Sequence, residues 1–87
     1  MPKEKVGMRV GVIISTNEKT VNMAGYGVYE GDLPSPFGFP NPCIRLDNGQ
    51  KVWGLESWWG PEEEVKKLIG SRQVVIVKLD PNRFDKN

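Results

Sequence analysis

The residues of this 87-residue chain that are best suited to binding chemistry are its aromatic rings. Tyr26 and Tyr29 lie three positions apart in a glycine-rich stretch, and Trp58 and Trp59 are adjacent. Glycines near these rings leave room for a flat ligand to lie against them. Proteins hold nucleobases in this way, because every base has an aromatic face whatever its sequence. These four rings therefore predict a platform for a planar ligand.

Two charged residues complete the predicted platform. The planar guanidinium of Arg45 suits a phosphate group, and the carboxylate of Glu56 can accept hydrogen bonds from a base or from a ribose hydroxyl. A nucleotide offers all of these groups at once. The predicted ligand-binding residues are Tyr26, Tyr29, Arg45, Glu56, Trp58 and Trp59.

Residues for catalysis are scarce by comparison. The sequence contains no histidine, which removes the commonest general base and the commonest metal ligand. Its single cysteine, Cys43, is interpreted as a small core or interface residue. The carboxylates are scattered, and no Walker or dinucleotide phosphate-binding motif is present. We therefore predict a binding protein that is not an enzyme and that needs no cofactor and no metal.

The stretch of residues 47–61 contains all three tryptophans and should organise the fold. Asn48-Gly49 tolerates two successive residues at positive φ and predicts a tight hairpin. If residues 50–59 form one strand, alternation sends Trp53 and Trp59 to one face and Trp58 to the other. A small domain has one interior. One of these faces should therefore cover the core, with Trp53 in it, while the other meets a ligand or a second chain.

The strands before this stretch are predicted from period-two patterns. Residues 8–14 alternate apolar side chains and should form a core strand, and residues 20–30 should form the next one. Gly25 and Gly27 fall in the middle of that second strand. Glycines there indicate a bulge, a sharp bend or the close approach of another group, and a bend is favoured because a small barrel needs such corners.

A long proline-rich loop is predicted for residues 31–42, which contain four prolines. Such loops are often lids or binding loops. Asp32, Phe37 and Phe39 are its candidate functional residues. The two phenylalanines either cap the end of the barrel or form an arm that reaches a neighbouring subunit or closes over a ligand. The second alternative is the one we expect, with the loop ordered by contacts outside its own barrel.

The end of the chain predicts one helix and one strand. Pro61 followed by three glutamates indicates a helix start, and Gly70 indicates its end, so a helix is expected over about 61–69. Residues 72–79 are rich in β-branched side chains and predict a last strand that is buried on both sides. The element order favours a mainly β fold, a small five-stranded SH3-like barrel with one short helix. An open sheet covered by the helix is the alternative.

Length and charge limit the remaining possibilities. Residues 6–80 should form one domain, with a flexible N-terminus at 1–5 and a tail at 81–87. A domain of this size buries roughly 60 to 65% of its unfolded surface, and a surplus of rings favours a homo-oligomer assembled through the aromatic face. The formal charge of +1 argues against long nucleic acid as a partner. We expect a cytoplasmic protein, since neither a signal-type segment nor an apolar stretch long enough for a membrane is visible.

Two resemblances add to these predictions. Trp58-Trp59 after an Asn-Gly hairpin, with Glu30 and Asp32 before a long loop, resembles the peptide-binding apparatus of SH3 domains. The Ala-Leu-Tyr-Asp signature of that family is missing, and a helix stands where the family has a short turn. The resemblance therefore implies only the barrel.

The second resemblance covers most of the chain. The segments Gly-Tyr-Gly-Val-Tyr-Glu-Gly-Asp at 25–32, Val-Trp-Gly at 52–54 and Trp-Trp-Gly-Pro-Glu at 58–62 resemble small proteins of phage and bacterial genomes. If the chain is encoded by a phage, it would be similar in kind to compact viral oligomers that sequester the nucleotide signals of bacterial immunity. This resemblance carries no residue roles with it.

Two functions follow as hypotheses. The first is binding, without catalysis, of a small nucleotide-like ligand such as an immune signalling nucleotide, with Tyr26, Tyr29 and Trp58 stacking and Arg45 on the phosphate. The second is a protein-interaction module whose aromatic groove takes a host protein or a proline-rich peptide.

Overall fold

The computed structural model describes residues 5–33, 41–54 and 56–82. Within them the protein is mainly β, with a single short helix, as the sequence predicts. The elements in chain order are β1 Arg9–Thr16, β2 Thr20–Leu33, β3 Asn41–Leu46, β4 Lys51–Trp53, β5 Trp58–Pro61, α1 Glu62–Ile69 and β6 Gln73–Ile76.

The 14-residue strand β2 lies at the centre of the sheet. One of its edges pairs with β1 in antiparallel fashion. Its other edge pairs with two strands in succession, first with β6 in parallel over residues 20–23 and then with β3 in antiparallel fashion over residues 27–33. Strand β4 extends the sheet beyond β3, and β5 extends it beyond β1. Closure of this sheet into an SH3-like barrel stays a prediction.

The sheet is irregular at the glycines of β2. Gly25 has φ of 131°, and the pairing of β1 with β2 shifts its register between Val12 and Ile13, next to the pair that Gly25 makes. A second shift falls between Tyr29 and Gly31, where Gly31 has φ of 109°. Positive φ is accessible to glycine at little cost, and bulges increase the local twist of a strand. These irregularities fall within the one long strand that pairs with β1, β3 and β6.

Two clusters of buried side chains hold the fold together, one on each face of the sheet. The first lies on the face that carries Val10 and Val12 of β1, with Trp59 packed against it. The second lies under the helix and joins β1, β2 and α1. Its buried members are Ile13, Val21, Met23, Val65 and Ile69. Burial of this apolar surface is the main driving force for the fold.

Helix α1 begins after Pro61 and ends at Gly70, so the predicted helix is confirmed. Its first turn carries three glutamates, which favour the positive end of the helix dipole, and Gly70 has φ of 56°. Val65 and Ile69 face the sheet, whereas Leu68 is 48% exposed. The apolar stripe of the helix is thus only partly covered by its own domain.

Two predicted strands differ from the observed ones. Residues 50–59 form two strands, because a turn after Trp53 interrupts them. The backbone N–H of Glu56 bonds to the Trp53 carbonyl at 3.0 Å, and the Glu56 carboxylate accepts the Trp53 N–H at 2.8 Å. This turn raises the number of strands from five to six. The last strand is not buried on both sides, since all four residues of β6 are exposed.

The predicted loop of residues 31–42 is shorter than expected. Residues 31–33 belong to β2, and residues 41–42 belong to β3. Phe37 and Phe39 lie outside the described residues, and the prediction about them stays a prediction. Within the part of the chain that the structure describes, no helix has the length and apolar character required to cross a bilayer.

Candidate ligand-binding groove

The two adjacent tryptophans of β5 point to opposite faces of the sheet, as alternation requires. Trp59 packs on the first core cluster, where its ring stacks on Tyr29 with centroids 5.3 Å apart and planes 25° apart. Tyr29 is only 6% exposed, and its hydroxyl donates to the Asp32 carboxylate at 2.5 Å. These two rings stack on each other inside the fold. Trp58, by contrast, is 49% exposed.

Trp58 forms one wall of an open groove of about 440 Å³. Apolar residues of β1 and α1 form much of the rest, and Ser15, Thr16 and Arg72 are its polar residues. The lining residues are Ile13, Ile14, Ser15, Thr16, Trp58, Leu68 and Arg72. We refer to it as the Trp58 groove.

The end of β5 creates this groove. The ladder between β1 and β5 stops at the pair of Ile13 with Trp58, whereas β1 continues to Thr16. Among the described strand pairings, the edge of β1 that faces β5 therefore has no strand partner over residues 14–16. Ile14 is 40% exposed there. An open strand edge thus lies beside an exposed indole.

Arg72 closes the far end of the groove and is held in place by carbonyl groups. Its Nε donates to the Ile69 carbonyl at 3.3 Å, one terminal nitrogen donates to the Asn17 carbonyl at 3.2 Å, and the other donates to the Leu68 carbonyl. A cation suits the negative end of a helix dipole. The guanidinium therefore fixes the end of α1 against the turn after β1, and Leu68 is fixed with it.

Tyr26 lies away from this groove. Its ring packs close to Gly11, and the Lys66 ammonium sits 5.9 Å from the ring centroid. Tyr26 also lines a second pocket of about 250 Å³, between the ends of β3 and β6, together with Asp47 and Ile76. The two tyrosines of the predicted platform thus belong to different parts of the fold.

The two charged residues of the predicted platform have partners of their own. Arg45 of β3 pairs with Glu30 of β2 at 2.9 Å, and its guanidinium lowers the pKa of the Glu30 carboxyl. Glu56 holds the turn after Trp53, as described above. Near the Glu30 pair, Cys43 is buried, and burial raises the pKa of its thiol. The structure does not bring Arg45 and Glu56 to the Trp58 groove.

Trp58 is a predicted ligand-binding residue, whereas its neighbours in the groove are not among the predicted site residues. Ile14 falls in the predicted core strand of residues 8–14 and Leu68 in the predicted helix, and apolar residues of such elements are normally buried. The exposure of Leu68 could have been expected from the sequence, because a helix as short as the predicted one can cover only part of a sheet. Arg72, directly after the helix, gives no pattern that would mark it.

An ion cluster at the N-terminal end of helix α1 joins β1 to two later segments. Both terminal nitrogens of Arg9 contact the Asp47 carboxylate, at 2.7 and 2.8 Å, and Nε contacts Glu62 at 3.2 Å. The Arg9 guanidinium lowers the pKa of Asp47, and Lys66 together with Arg9 lowers the pKa of Glu62. These groups are largely exposed, so each pair contributes little on its own.

Acid should weaken the fold through this cluster. A carboxyl whose pKa is lowered by folding binds protons more readily when unfolded. Its contribution is present above its unfolded pKa of about 4 and is lost as pH falls through the folded one. We expect the urea midpoint to fall between about pH 6 and pH 3, and to fall less in Asp47→Asn. Ser71→Ala is the control. An equal acid-induced loss in Asp47→Asn and the wild type would contradict this assignment.

Among the described residues, no three His, Cys, Asp or Glu side chains converge as a metal site would require. Comparison with known proteins adds no function. No protein-family model matches the chain, and neither the curated proteins nor the solved structures contain a match. The groove's own geometry is therefore the basis for a functional proposal.

Proposed function

We propose that this protein is a non-catalytic binding module that takes an extended, proline-containing segment of a partner protein in the Trp58 groove. The observation that carries the proposal is a half-exposed indole with apolar walls beside an open strand edge. An exposed aromatic ring among apolar side chains is the usual centre of an interaction surface.

The chemistry of the groove suits an extended peptide. Ile14, Trp58 and Leu68 offer apolar surface on which proline rings can pack. The indole N–H and the hydroxyls of Ser15 and Thr16 are hydrogen-bonding groups for the carbonyls of a peptide backbone. Proline-rich segments dock in aromatic-lined grooves because they are already extended and lose little entropy on binding.

A peptide fits this arrangement better than the nucleotide-like ligand that the sequence favours. Nucleotide binding as predicted requires several aromatic rings and an unpaired guanidinium in the same site. Tyr29 and Trp59 are stacked on each other, and Arg45 is paired with Glu30. Trp58 is the one ring of the predicted set in the groove, and Arg72 there is already bonded to three carbonyls. Sequestration of a nucleotide is therefore treated as the competing outcome of the test.

Substitution of Trp58 by alanine should abolish peptide binding without unfolding the protein. The wild type, titrated with a library of proline-rich peptides, should give a saturable shift in indole emission for a subset of sequences. Trp58→Ala should weaken their binding at least about thirtyfold, which is typical of a central aromatic residue in an interface. Calorimetry measures the affinity of the variant, because it does not depend on the missing indole. The thermal midpoint of folding should change by only a few degrees.

Matched variants make this result specific. Val6→Ala also removes exposed apolar surface, but outside the groove, and should leave peptide affinity unchanged. Leu68→Ser should weaken binding as Trp58→Ala does. The same proteins are titrated with a cyclic dinucleotide and with ADP-ribose. The peptide proposal would be wrong if no peptide binds while either nucleotide binds saturably and loses that binding in Trp58→Ala. That outcome would favour nucleotide sequestration.

A further inference from the structure

Strand β6 and the residue after it form an apolar ribbon that is partly exposed to solvent. Val74, Val75, Ile76 and Val77 are 38%, 39%, 56% and 38% exposed. Successive residues point to opposite faces of a strand, so the ribbon is exposed on both faces. It is held on one edge by parallel pairing with β2, and its other edge has no strand partner among the described pairings. We refer to these four residues as the β6 ribbon.

The backbone of the β6 ribbon presents hydrogen-bonding groups to that open edge. The N–H of Gln73 donates to the Lys19 carbonyl at 2.9 Å, and the N–H of Val77 donates to the Met23 carbonyl at 2.7 Å. Residues 73 and 77 therefore direct their backbone groups toward β2. In a regular strand these directions alternate, so Val74 and Ile76 direct their N–H and C=O groups away from it. The open edge can therefore form backbone hydrogen bonds with another strand.

Natural sheets protect such edges with charges, prolines or bulges, because exposed apolar edges lead to association. The β6 ribbon contains none of these devices over residues 74–77. Its apolar surface also continues into the pocket beside it, since Ile76 lines that pocket with Ala24 and Leu46. An exposed surface of this kind marks an interaction site.

We propose that the β6 ribbon pairs with the β6 ribbon of a second copy of this chain, in antiparallel orientation, to form a symmetric homodimer. Two copies of this strand present the same apolar side chains and the same open backbone edge to each other. Antiparallel pairing about a two-fold axis brings the apolar ribbons of the two copies together and joins their outward-facing backbone groups. No residue of the β6 ribbon lines the Trp58 groove.

Charge selects the register of this pairing. An axis through Val75 would place Arg72 of each copy opposite Lys78 of the other, and like charges in opposed positions are destabilising. An axis through Ile76 moves these cations out of opposition. It places Val75 opposite Val77, Val74 opposite Lys78, and the two copies of Ile76 opposite each other. Both registers leave Val74 and Ile76 in hydrogen-bonded positions, as the directions of their backbone groups require, so the charges decide between them. We therefore infer an axis at Ile76, the most exposed residue of the ribbon.

The mass of the full chain in solution tests the dimer. Light scattering and native mass spectrometry at about 10 to 100 µM, a range suited to interfaces of modest affinity, should show a dimer for the wild type. Ile76→Lys brings two ammonium groups together on the axis and should weaken the dimer about a hundredfold or more. Leu68→Lys is the matched control, because it introduces the same charge at a similarly exposed apolar residue, and it should stay dimeric.

A second variant tests the register and does not require disruption of the interface. Opposed hydrogen-bonded residues in an antiparallel pair have Cα atoms about 5.5 Å apart, which a disulfide can span. Ile76→Cys should therefore form a disulfide-linked dimer under mild oxidation, whereas Leu68→Cys should not. Cys43 is buried and should not interfere. A wild type that is strictly monomeric at these concentrations would overturn the proposal. So would a dimer that persists in Ile76→Lys, or a pull-down in which β6 binds only a different protein.

Discussion

Gly27→Ala should unfold or severely destabilise the domain, with a loss of about 3 kcal/mol or more. Gly27 lies in β2 where that strand pairs with β1 on one side and with β3 on the other. A Cβ atom added there would sit 2.2 Å from the Arg45 carbonyl oxygen and 2.7 Å from the Leu46 Cα. Both contacts are with backbone, which cannot rotate away as a side chain can. The methyl group can be accommodated only if β3 moves away from β2.

Separation of β3 from β2 would break hydrogen bonds of the ladder and open the first core cluster at Leu46. For a domain of this size, 3 kcal/mol corresponds to a fall in the thermal midpoint of at least about 12 °C. Gly60→Ala is the matched control, since its nearest neighbour is the ring of the half-exposed Trp58 at 3.2 Å, which can move. A midpoint for Gly27→Ala within a few degrees of the wild type would show that the described approach of β3 to β2 is wrong.

Trp59→Ala should also be costly, at about 3 kcal/mol of unfolding free energy or more. The ring stacks on the buried Tyr29, and such aromatic pairs contribute beyond the area they bury. Gly54 makes room for the same indole, because a Cβ there would lie 2.5 Å from the Trp59 Nε1. The indole thus joins β5 to the chain that follows β4, although the described pairings place these strands at opposite ends of the sheet.

Trp58→Ala is the natural comparison, because it removes the same side chain from the neighbouring residue and the opposite face. Its cost in folding should be less than about 1 kcal/mol, as expected for a half-exposed residue. Urea denaturation followed by circular dichroism measures both variants. Similar losses of stability in the two would contradict the assignment of Trp59 to the core and of Trp58 to the groove.

The sequence predicts local features of this fold well. Proline at the helix start, glutamates in its first turn and Gly70 at its end act within a few residues, so helix α1 could be located from them. Alternation likewise assigns Trp58 and Trp59 to opposite faces. The split of residues 50–59 into two strands was not visible, because it depends on a turn in which Glu56 caps Trp53, and many glutamates on strands make no such bond.

Long-range pairing limits what could be predicted of the site. Arg45 and Glu30 are 15 residues apart, and they meet because β2 and β3 pair with a shift in register next to Glu30. No pattern in the sequence specifies that shift. The exposure of β6 was missed for a related reason. A run of β-branched residues indicates a strand, but whether its faces are covered depends on which elements pack beside it.

The parallel pairing of β6 with β2 has a consequence for the order in which the chain folds. Strands β1 to β4 are successive neighbours in the sheet, so each pairing closes a modest loop. Val21 and Val74, in contrast, come from distant parts of the chain, and their pairing must wait until the segments between them are placed. Closing a longer loop costs more conformational entropy before any contact compensates for it. We expect β6 to join the sheet last, on a template that the earlier strands have already formed.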